Sequence, residues 1–65
     1  MLTEAAYYAL RTIARNHGFR DVLDALADVA KENALDYRDA DLPGDAAKHA
    51  GIETTLRSIR PALPE

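Results

Sequence analysis

The stretch FRDVLDALADVAKENA, residues 19–34, decides the fold. Phe19, Val22, Leu23, Leu26, Val29 and Ala30 recur at steps of three and four. Asp21, Asp24, Asp28 and Lys31 fall mainly between them. This spacing predicts an amphipathic helix with a wide apolar stripe that must be buried against something.

Working toward the N-terminus, Ala6, Leu10, Ile13 and His17 mark one face of a helix over residues 3–17. Thr3 is its expected N-cap, and Leu2 with Tyr7 fit a hydrophobic staple. Gly18 is expected to end it as a left-handed C-cap. The connection to the next helix is then so short that helices one and two should form an antiparallel or steeply crossed hairpin. Toward the C-terminus, Asp36, Asp39 and Asp41 precede Pro43, Gly44 and Asp45. Residues 36–43 read as an acidic loop, pinned by Tyr37 and Leu42.

The C-terminal segment has two readings. Ala46, His49, Ile52, Leu56, Ile59 and Leu63 recur at steps of three and four, which predicts one helix over 44–60. Pro61 ends it, because the residue before proline avoids helical geometry. Alternatively, Ala47-Lys48-His49-Ala50-Gly51-Ile52 forms a turn between two short helices. This hexapeptide resembles the turn of phage-repressor-like helix-turn-helix domains. The resemblance implies a recognition helix anchored by Ile52, Leu56 and Ile59. It also implies DNA contacts from Lys48, Thr54, Thr55, Arg57 and Arg60, arginine being suited to guanine or phosphate. It covers about a dozen residues, and its glycine-to-core spacing is one residue shorter than the family pattern. The unbroken stripe makes the single helix the expectation, since one interior glycine costs only about 1 kcal/mol.

The expected architecture is therefore all-α and a single domain over residues 1–65. It is a small three-helix bundle, a helical hairpin with a third helix packed across it. The expected core is Leu2, Ala6, Leu10, Ile13, Phe19, Val22, Leu23, Leu26, Val29, Ala30, Leu42, Ile52, Leu56 and Ile59. Sixty-five residues bury only about 60% of the surface an unfolded chain exposes. Small proteins supplement such cores with disulfides, metals or self-association. The chain has no cysteine and only two histidines, His17 and His49. Self-association or docking on a larger partner is what remains, with a three-helix bundle that stands alone as the alternative; completion by oligomerisation is the expectation.

Charge is unevenly spread along a chain of net charge -3. Residues 1–20 set Glu4 against Arg11, Arg15 and Arg20, a balance of +2. Residues 21–45 carry eight acids against Lys31 and Arg38, a balance of -6. The overall sign disfavours a generic nucleic-acid binder. No apolar run is long enough for a membrane span, and the N-terminus lacks a signal-peptide pattern, so the expected location is the cytoplasm.

Few residues suggest chemistry. Asp39, Asp41 and Gly44 match three positions of a calcium loop, but Pro43 and Ala50 stand where ligands belong. Asp21, Asp24 and Asp28 share one side of helix two, yet a chain this small encloses no pocket to tune them as catalysts. They fit a solvated face able to dock a basic partner. Tyr8, Arg11 and Arg15 lie on one side of helix one, a combination enriched at binding hot spots. The expected function is a non-enzymatic interaction module: an adaptor, regulator or inhibitor that self-associates and binds another macromolecule. Neither cofactor nor metal is expected. The alternatives are the DNA-binding regulator through residues 44–60, and an oligomer that binds a small anion or nucleotide.

Overall fold

The computed structural model describes residues 1–64; Glu65 of the expected domain lies outside the described residues. Three helices follow one another: α1 (Glu4–His17), α2 (Phe19–Asp39) and α3 (Pro43–Ile59). A short 3₁₀ turn, Arg60–Ala62, closes the chain. The fold is all-α, as the periodicity predicts. No helix among the described residues is long and apolar enough to cross a membrane.

Thr3 caps α1 as expected, its Oγ1 accepting from the Ala6 N–H at 3.1 Å. Gly18 ends α1, and its N–H donates to the Ala14 carbonyl at 2.8 Å. Its φ of 85° is positive as expected, but ψ of 160° takes it outside the left-handed helical region. That combination is open essentially to glycine alone. Gly18 also opens α2, so a single residue joins the two helices.

α2 runs to Asp39, five residues beyond the sequence reading. The acidic loop expected over 36–43 shrinks to Ala40, Asp41 and Leu42. Nothing between Asp36 and Asp39 breaks a helix, and Tyr37 extends the buried row Ala27, Ala30, Ala34 by one more step. The helix ends in a Schellman arrangement. Leu42 N–H donates to the Tyr37 carbonyl at 2.8 Å, and Asp41 N–H to the Arg38 carbonyl at 3.0 Å. Asp41 sits at φ 61°, the position glycine usually fills; its short polar side chain tolerates this. Pro43 then starts α3 at a position where its missing N–H costs nothing.

α3 is one helix that passes through Gly51 without a break. The turn required by the helix-turn-helix reading is therefore not formed. The packed pair is α2 with α3, whereas the sequence reading paired α1 with α2. Tyr37 stacks on His49 at one end, with ring centroids 4.9 Å apart. At the other end Arg20 Nε donates to the Leu63 carbonyl at 2.7 Å. Those two contacts fix an antiparallel hairpin. α1 meets α2 sparsely and α3 not at all among the described residues.

The fully buried residues are Leu23, Ala27, Ala30 and Ala34, all on α2. Against them α3 turns Ala46, His49, Glu53 and Leu56, and Arg60 of the 3₁₀ turn continues the row, all partly buried. The expected core is thus largely wrong. Leu2, Leu10, Ile13, Phe19, Leu26, Val29, Leu42, Ile52 and Ile59 stay between 39% and 61% exposed. The apolar stripe of α2 is wide enough for two neighbours, and α3 takes its alanine side. Among the expected core residues, Leu23 and Ala30 are buried, while Ala6, Val22 and Leu56 are partly buried.

Three outcomes follow from this packing, all readable by chemical denaturation. A Cβ built on Gly51 meets nothing within 4 Å, so Gly51→Ala stabilises the chain by about 0.5–1 kcal/mol. Ala27 is 1% exposed at the helix contact, so Ala27→Leu overpacks it and destabilises by about 1–3 kcal/mol. Gly18→Ala forces a side chain into a glycine-only conformation and costs about 1–3 kcal/mol, or redirects α1.

Candidate functional site

Helical periodicity divides the α2–α3 hairpin into two unlike sides. On one side the helices are tied by charge. Arg57 Nη2 donates to Asp28 Oδ1 at 2.9 Å, and its Nε to Glu53 Oε2 at 2.8 Å. Arg60 Nε donates to Asp24 Oδ1 at 2.8 Å and to Oδ2 at 3.0 Å. Hydrogen bonds from Asp28 and then Glu53 raise the pKa of the Arg57 guanidinium above its ordinary value.

On the opposite side lies an apolar face with no cover. Phe19, Val22, Leu26 and Val29 line its α2 edge; Ile52 and Ile59 line its α3 edge. All of these except the partly buried Val22 are exposed. Glu32 and Asp36 border it on α2, and Lys48 and Thr55 border it on α3. Phe19 carries this face round the Gly18 joint. There, with Tyr7, Leu10, Arg11, Ala14 and Arg15, it lines an open cleft of about 390 Å³. α1 contributes its own apolar stripe, in which Leu10, Ile13 and Tyr7 are exposed and no residue is buried.

The residues singled out in the sequence are distributed unevenly over this geometry. Arg11 and Arg15 reach the cleft, but Tyr7 rather than Tyr8 lines it with them. Tyr8 makes an edge contact with Tyr7 at 5.5 Å between ring centroids. Of the acidic trio, Asp24 and Asp28 are engaged by Arg60 and Arg57 within the chain, which leaves only Asp21 without an ion pair among the described residues. Arg57 and Arg60, assigned to DNA under the alternative, are thereby held against carboxylates. Thr54 donates its hydroxyl to the Ala50 carbonyl at 3.1 Å. Lys48 and Thr55 sit at a shallow depression with Gly51, Ile52 and Leu56, on the uncovered side.

The uncovered face was missed because its residues were assigned to the core. The signal that locates it is the alanine row. Ala27, Ala30 and Ala34 mark the side of closest helix approach, so Leu26 and Val29 must lie off it. The arrangement offers exposed apolar area with a charged border, and no polar residue is buried among the described residues. No family model, curated protein or solved structure matches the chain.

Proposed function

We propose that the chain is a non-enzymatic helical interaction module of the cytoplasm, an adaptor, regulator or inhibitor that self-associates and binds a macromolecular partner. One observation carries this reading: the protein exposes far more surface than its mass requires. Its accessible area is 5058 Å². A compact monomer of its 7.1 kDa exposes about 4,100 Å², leaving an excess of about 1,000 Å². Its radius of gyration is 13.4 Å, against about 11 Å for a compact domain of this length. Exposed apolar side chains contribute to it, among them Tyr7, Leu10 and Ile13 on α1 and Phe19, Leu26, Val29, Ile52 and Ile59 on the open side of the hairpin. Large uncovered apolar patches with polar borders mark interaction sites. Tyr8 and Asp21 remain on the polar faces as contacts for a further partner.

Light scattering over a hundredfold range of concentration tests the reading. A dimer or larger species is expected at micromolar concentration, with dissociation on dilution. Leu10→Asp with Ile13→Asp should yield a monomer that keeps the α2–α3 hairpin, as judged by circular dichroism. A parent chain that stays monomeric throughout while fully helical refutes self-association.

A further inference from the structure

Resting on that reading, we infer that the occupant of the open hairpin face is α1 of a second copy of this chain, and that two copies exchange their first helices reciprocally. The uncovered surfaces are of two matching kinds. One is a single amphipathic helix whose Tyr7, Leu10 and Ile13 are exposed; the other is a two-helix layer that lacks a third helix. Set together, they complete a three-helix bundle.

The chain cannot make this closure alone. Two antiparallel helices need a connection of about two to five residues to lie side by side. Here the connection is Gly18 alone, and its φ of 85° and ψ of 160° turn α1 away from the hairpin. A second copy meets no such restriction. The exchange is self-complementary, since each copy gives one helix and receives one, as a two-fold symmetric dimer requires.

Dimensions and charge agree. The 14 residues of α1 span about 21 Å, and the face from Phe19 to Val29 runs about 15 Å along α2, so one helix covers it. The excess area of about 1,000 Å² per chain is of the size a stable dimer buries, about 800 Å² per partner. Arg11 and Arg15 flank the stripe of α1, and Glu32 and Asp36 flank the face on α2. None of these four makes an ion pair within the described chain. Bringing α1 onto the partner's face sets the two cations beside the two carboxylates and removes apolar area from water at the same time.

The chain has no cysteine, so a pair can be introduced cleanly. Leu10→Cys and Leu26→Cys in one chain are treated with a short bismaleimide at micromolar concentration and run on a denaturing gel. Exchange predicts a covalent dimer, because Leu10 of each copy lies over Leu26 of the other. Each single-cysteine chain serves as control. A cross-linked monomer would mean that α1 folds back on its own hairpin, and overturns the exchange. A dimer in solution that yields no Leu10–Leu26 cross-link also overturns it, while leaving self-association itself intact. A chain that is monomeric by light scattering overturns both. Leu26→Asp gives the independent readout. Leu26 lies outside the buried seam, so the hairpin survives, and half-dissociation should move to at least about tenfold higher concentration. An unchanged dissociation curve for Leu26→Asp is incompatible with a partner helix on this face.

Discussion

The rest of the structure depends on the close approach of α2 and α3 along Ala27, Ala30 and Ala34. Alanine offers little area, but it lets two backbones come near each other and brings their larger neighbours into reach. Leu23 stands at one end of the buried row, and Tyr37 with His49 closes the seam at the other. The same choice has a consequence for the larger apolar residues. Where small residues occupy the line of contact, leucine, valine and isoleucine are displaced to its flank. A seam of this kind holds two helices and leaves an apolar side available to a third.

Electrostatics decides which side stays open. Arg57 of α3 and Arg60 of the 3₁₀ turn cross to α2 only on the side where Asp24 and Asp28 stand. Each of these exposed bridges contributes little to stability, since water screens it. Their effect is instead to make one side of the hairpin unsuited to apolar packing. The other side carries no such charges across its middle, only Glu32, Asp36 and Lys48 along its borders. The polarity of a thin two-helix layer is thus set by where a few aspartates fall on one turn of α2.

Much of this was legible in the sequence, and the failures have physical causes. Thr3 announced α1 because an N-cap is a local interaction of side chain with backbone. The continuity of α3 through Gly51 followed from the small cost of one interior glycine. The length of α2 was misread because aspartate density was taken for a loop. Asp36 and Asp39 do not stop a helix, whereas the backbone turn at Asp41 does. The core was misread for a different reason. A stripe as wide as that of α2 serves two neighbours, and periodicity does not say which arrives. The polar members of the α3 contact row, Glu53 and Arg60, hid that row further, because hydropathy marks Ile52 and Ile59 instead. At the candidate site, Arg11 and Arg15 were found by composition. The apolar face was lost by being counted as interior.

The joint at Gly18 gives the open face its meaning. Linkers that let a helix swing freely make every later contact pay for ordering it. Here the joint is one residue long, and both flanking helices are hydrogen-bonded to it, through Ala14 on one side and Val22 on the other. α1 is therefore joined to α2 through a single hydrogen-bonded residue, with its apolar stripe already formed on a helix. Association of such surfaces orders few additional bonds, and preorganisation of this kind converts buried area into affinity with less loss. If α1 fills the open face of a second copy, as proposed, the stability of the fold depends on the concentration of its copies.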